Sequence, residues 1–250
     1  MPSTTNPSAI ATSVRPPKHP MLPSQLAQQE IIKVLVGPDR HVYKLPKDPL
    51  ISTVSYFEAS LKECWNNKDN EIVLEDVQRD LFEILIDYVY TGSLPEYFSK
   101  AYLAGTRYGI IDLIRLYGLA DRFMLSTMKN DIIDLEFRAL VEGDCAWDFQ
   151  GLLDVFEAEL SSTPLYQLAL KSSVRLFMKT STQEVRQDME DTMAALVEYP
   201  DLSHDVLKAI SQFVKKPWPA VAKSHPCDFH DHSEGDECEG GWVLEQGKEA

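Results

Sequence analysis

The run Phe82-Glu-Ile-Leu-Ile-Asp-Tyr-Val-Tyr-Thr-Gly92 decides how this 250-residue chain is read. Started from Arg79, it sets Leu81, Phe82, Leu85, Tyr88 and Val89 at helical spacing, so one face is apolar and must be covered. Thr91-Gly92 closes it, because glycine accepts the left-handed backbone beyond a helix end without a Cβ clash. A helix with so wide an apolar stripe has to pack on neighbouring elements, and these are found on both sides.

Upstream, Ile31-Ile-Lys-Val-Leu-Val36 is a β-branched run stopped by Gly37-Pro38-Asp39, and His41-Val-Tyr-Lys-Leu45 alternates as a returning hairpin strand. Leu50, Val54, Phe57 and Leu61 then follow a helical period, and Glu71-Ile-Val-Leu74 predicts a third short strand. Downstream, after a loop over Ser93 to Tyr108, residues 110–123 are predicted helical, carrying Ile111, Ile114, Leu116 and Leu119. Ser126 is placed as the N-cap of a helix running to Glu142, with Met128, Ile132 and Leu135 inward. Strands come first and helices later, which is an α+β order.

Beyond Asp144 only helices are expected. Phe149, Leu152, Leu153 and Phe156 form one apolar face. Thr163-Pro164 opens a second helix, carrying Leu165, Leu168, Val174 and Phe177. A third is expected over 183–198 and a fourth over 203–214, with Val206, Ile210 and Phe213 inward. The division that follows is a disordered leader over 1–28, an α+β domain over 29–143, a helical region over 144–215 packed onto it, and an acidic disordered tail over 216–250. Pro2, Pro7, Pro16, Pro17, Pro20 and Pro23 crowd the leader, and a Pro/Ser/Thr-rich stretch without apolar periodicity lacks the surface to fold.

The formal charge is −15. From His225 onward eight Asp/Glu face one Lys, so much of the acidity belongs to the tail. This argues against nucleic acid or an anionic membrane as partner, since both require clustered Lys/Arg. No apolar run approaches a membrane span of ~18 residues, and the first twenty residues lack the apolar core of a signal peptide. A nuclear or cytoplasmic location is expected. Four cysteines are too few for a disulfide scaffold at this length; Cys64 and Cys145 are read as packing residues.

The helix at 82–92 is similar to the F-x-x-L-L-x-Y-x-Y-T-G helix of the BTB/POZ family. Leu116-Tyr-Gly-Leu-Ala-Asp-Arg-Phe-Met-Leu125 resembles that family's L-x-x-L-A-D-(K/R)-(Y/F) helix, with Met128-Lys-Asn130 following. Lys47-Asp48, Leu50 and Tyr56-Phe57 fit its H-K-D-x-L-x-x-x-S-x-x-F. The chain departs at Pro46, where the family has His, and at Val54, where it has Ser. Its general look resembles uncharacterised fungal BTB proteins.

The resemblance implies a BTB/POZ fold, a small three-stranded sheet capped by helices, and a role in binding proteins. A homodimer face is expected through Ile31, Val34 and Leu50, with Val36 and Phe57 assigned to the core. Leu94-Pro95-Glu96, with Tyr97 beside it, has the hydrophobic-x-Glu form with which some of these domains hold a cullin scaffold. The expected function is a dimerising adaptor, extending to client recruitment by a cullin-RING ubiquitin ligase; the other reading is a transcription- or chromatin-associated scaffold. No phosphate loop, G-x-S-x-G or H-E-x-x-H is present, so an enzyme is not expected. No resident cofactor is expected either, apart from the tail's Cys227, His230, His232 and Cys238. These supply two thiolates and two imidazoles within twelve residues, the ligand types of a structural zinc site.

Overall fold

A computed structural model describes residues 28–63, 71–105, 108–142, 147–179, 194, 196–217 and 226–231. Strands β1 (Ile31–Val36), β2 (His41–Pro46) and β3 (Glu71–Leu74) form one sheet in the order β2-β1-β3. β1 pairs antiparallel with β2 and parallel with β3. The two-residue side-chain period sends Ile32, Val34 and Val36 into the core and Ile31, Lys33 and Leu35 to the other face.

Two helices, α1 (Lys47–Thr53) and α2 (Ser55–Glu63), occupy the stretch read from sequence as one helical stripe. Val54 adopts an extended backbone between them while its N–H still reaches the Leu50 carbonyl. Leu50, Val54, Phe57 and Leu61 are all buried, so the stripe is kept although the helix is broken.

Helix α3 (Arg79–Thr91) is the deciding run. It buries Leu81, Phe82, Ile84, Leu85, Ile86, Tyr88 and Val89, each worth roughly 1.5–3 kcal/mol when fully removed from water. Gly92 closes it at φ 74° with its N–H on the Tyr88 carbonyl, the left-handed cap expected from Thr91-Gly92. The segment expected as a plain loop over Ser93 to Tyr108 instead holds α4 (Glu96–Leu103). α5 (Ile110–Arg122) follows, its first turn tied by Gly109 N–H donating to Asp112, and then α6 (Ser126–Glu142). Ile111, one of the apolar residues this helix carries, is exposed on α5.

The later region is helical, with α7 (Phe149–Glu157), α8 (Pro164–Lys179) and α9 (Pro200–Lys215). Asp148 caps α7 through Gly151 N–H at 2.8 Å, and Thr163 accepts from Tyr166 N–H at the start of α8. Of the helix expected over 183–198, a 3-10 turn at Leu196–Glu198 is described, and most of the rest lies outside the described residues. The leader over 1–27, Cys64 and Cys145 also lie outside them. One buried cluster runs without interruption from Ile32 to Phe229, so these helices share the core of the strands and α3.

A buried carboxylate joins the two halves. Glu136 on α6 is 2% exposed and accepts from Trp147 Nε1 at 2.7 Å and from the Tyr102 hydroxyl of α4. Gly151 lets the Trp147 ring lie close, since a Cβ there would sit 3.0 Å from its Cε3. Burial pushes the Glu136 carboxyl above its ordinary value of 4.5, and the two donated bonds oppose that shift. The folded state thus holds this proton more tightly than the unfolded chain, and its contribution is lost as pH rises from about 4.5. Glu136→Gln carries no titrating group, so its stability relative to the parent chain grows from that pH toward neutrality. Thermal melts across that interval test this, and a difference flat in pH contradicts it.

The tail was expected to be disordered from residue 216. Residues Pro226–Asp231 are nevertheless ordered against α6 and α8, with a 3-10 turn at Pro226–Phe229. The correction has a plain cause. Phe229 finds a buried place beside Phe137, and that apolar contact outweighs the polar composition around it.

Candidate functional site

The sheet has one covered face and one open face. On the open face the register aligns three rows across the strands. Val42, Leu35 and Val73 form an apolar row, with Val42 47% and Val73 46% exposed. The next row is charged: Lys44, Lys33 and Glu71, with Lys33 Nζ 2.8 Å from Glu71 Oε1. Ile31, 47% exposed, lies opposite Pro46 beyond it. Three large aliphatic side chains so exposed on one small face mark a surface suited to a partner.

The expected dimer set divides on this geometry. Ile31 lies on the open face. Val34 and Leu50 are completely buried in the protein's own core, so neither can line an interface without opening the fold. Ile31 and Val34 are three residues apart on a strand, an odd spacing that sends them to opposite faces. Leu35, Val42 and Val73 were not singled out from sequence, although the same alternation places Leu35 with Ile31.

The second surface is the corner between α3 and α4. Leu94 is partly buried against the core, and Pro95 stands at the N-cap of α4 with φ −57° and ψ 135°. Glu96 projects into solvent and pairs with Lys100 at 2.6 Å, an i,i+4 contact that holds its carboxyl below the usual range. Tyr97 is half-exposed, and its hydroxyl donates to Asp87 Oδ2 at 3.1 Å; burial and that carboxylate raise its phenol pKa. Beside it the Tyr43 hydroxyl donates to Glu83 at 2.7 Å. Glu83 and Asp87, one turn apart on α3, therefore form an acidic ridge edged by two tyrosines. The fold brings Leu94, Glu96 and Tyr97 together at one accessible corner.

The tail set does not assemble as a zinc site in its described half. His230 turns its Nε2 to Asp134 Oδ1 at 3.0 Å, while Cys227 lies in the preceding 3-10 turn. His232 and Cys238 lie outside the described residues. Among the described residues no group of three or more His, Cys, Asp or Glu is placed to hold a metal ion. Among them, too, no helix is long and apolar enough to cross a membrane.

No curated protein matches the chain. The BTB/POZ domain family model matches residues 29–119, from the approach to β1 into α5. The sheet, the two helices between β2 and β3 and the glycine-capped α3 all fall inside that stretch, which identifies this part of the chain as a BTB/POZ domain, a protein–protein interaction module.

Proposed function

We propose that the chain is a dimerising BTB adaptor that brings a client to a cullin-RING ubiquitin ligase. The observation that carries this reading is the open sheet face, whose rows suit a second copy of themselves. A two-fold axis along β1 lays the Val42-Leu35-Val73 row of one copy on that of the other. The same rotation exchanges the β2 and β3 sides, so Lys44 faces Glu71 of the second copy. Apolar groups meet apolar groups and the outer charges meet opposite ones, while Lys33, which faces its own copy on the axis, stays paired with Glu71 of its own chain. The exposed Leu94-Glu96-Tyr97 corner supports the cullin part of the proposal. It lies at the end of α3, so dimerisation through the sheet leaves it accessible.

The test is co-purification from cells of intracellular cullins with the tagged chain. Leu94→Ala combined with Glu96→Ala should cut cullin recovery by about tenfold or more, the scale of losing an interface anchor, while leaving self-association intact. A parent chain that recovers no cullin while enriched in the nucleus would instead favour the scaffold role.

A further inference from the structure

The ordered tail segment sits on α6 and α8 much as a short peptide sits on a receptor. Phe229 fills a pocket beside the Phe137 ring, 5.5 Å between centroids, with Lys171 Nζ 4.8 Å from its own ring centroid. His230 lies beneath the surface with Nε2 on Asp134. Asp231 contributes a carboxylate 2.8 Å from Lys129 Nζ. Asn130 clamps the same residue's backbone from both sides, accepting from its N–H at 2.8 Å and donating to its carbonyl at 3.1 Å. Three successive side chains are each read by a different group, and one side-chain amide reads the main chain.

The groove is also built to survive the segment's departure. Lys129 is nearly buried, and its ammonium keeps a second carboxylate, Asp121 Oδ1 at 2.9 Å, and lies near the Tyr117 ring. Withdrawal of Asp231 therefore leaves Lys129 paired, and the Asp134 side chain that His230 gives up is 17% exposed, so water can reach it. Asp231 itself is 43% exposed and returns to water readily. We infer that this groove is a docking site for a short peptide presenting an aromatic ring, an imidazole and a carboxylate on successive residues, with Phe229-His230-Asp231 as its displaceable resident. A resident tethered to the same chain competes at high local concentration, so a partner peptide binds well only when the resident is weakened.

The test uses the full chain carrying Phe229→Ala and Asp231→Ala, and a labelled peptide of residues 224–234 followed by fluorescence anisotropy. The peptide should bind this variant at least about tenfold more tightly than the parent chain, because the tethered competitor is gone. Adding Asn130→Ala should abolish the gain while circular dichroism shows an unchanged helix content. A folded variant that fails to bind, or that binds equally well without Asn130, overturns the inference. Should the variant not fold, hydrogen exchange of the parent chain decides. Amides of residues 227–231 should then open about a hundredfold faster or more than those of the α6 core. Equal protection would mark the segment as an ordinary part of the fold.

Discussion

Glu136→Ala is expected to lower the unfolding free energy by about 2–4 kcal/mol, because it strands the donors that the carboxylate satisfies. Trp147 Nε1 is the decisive one. Its side chain is almost completely buried and held over Gly151, so it cannot swing away to another acceptor. Tyr102 is half-buried and can turn its hydroxyl outward, which limits its share. Set against a usual total of about 5–15 kcal/mol, the loss is large. Glu136→Gln separates the causes: its amide oxygen can accept from Trp147 and its amino group can donate to the Tyr102 oxygen. Denaturant melts should show Ala strongly and Gln little destabilised at neutral pH. Equal destabilisation would mean that the ionised carboxylate itself is required and that a neutral group of the same shape with one acceptor oxygen does not replace it. The Trp147–Glu136–Tyr102 chain ties α4 and α6 to the entry of α7, so Glu136→Ala should also loosen the helical region and the BTB/POZ part together, in one transition.

Val42→Glu combined with Val73→Glu is expected to convert the dimer to monomer, weakening self-association by about a hundredfold or more. Two carboxylates would be forced into an apolar row meeting its own copy, where desolvation and like-charge repulsion add. The monomer itself should hardly notice. Both side chains are already about half exposed, and surface changes of that kind stay within about 0.5 kcal/mol. Sedimentation velocity and a thermal melt of the same sample separate the two effects. A dimer that survives both substitutions would place the interface elsewhere.

Much of the fold was legible because its signals are local. α3 and α5 announce themselves by helical spacing and by residues such as Gly92, whose backbone conformation only one residue type adopts freely. α4 was missed for a physical reason: its apolar stripe is short, Phe98 being buried and only Ala101 and Tyr102, half-buried, continuing it. Pro95 before it and the Glu96–Lys100 pair were the available signals of a helix start. The tail contact was not legible. A single phenylalanine among acids looks solvated until Phe137 and Lys171, far away in the chain, are brought beside it.

The candidate site was partly legible. Leu94, Glu96 and Tyr97 are adjacent in sequence, and the fold keeps them together at one corner. The expected dimer set was drawn by likeness to a family, and it mixes residues from the two faces of one strand. Period two would have separated them, keeping Ile31, adding Leu35, and sending Val34 to the core. Val42 and Val73 needed the strand register, which no single segment carries. The zinc set grouped cysteines and histidines by nearness in sequence. The structure instead commits His230 to Asp134 on α6, a pairing that proximity along the chain could not reveal.

The central claim is self-association through the open sheet face, and the mass of the full chain in solution tests it most directly. Sedimentation equilibrium over a wide concentration range should give twice the mass of the chain, and a single chain mass once Val42→Glu and Val73→Glu are both present. A parent chain that stays strictly monomeric at every concentration would contradict the account.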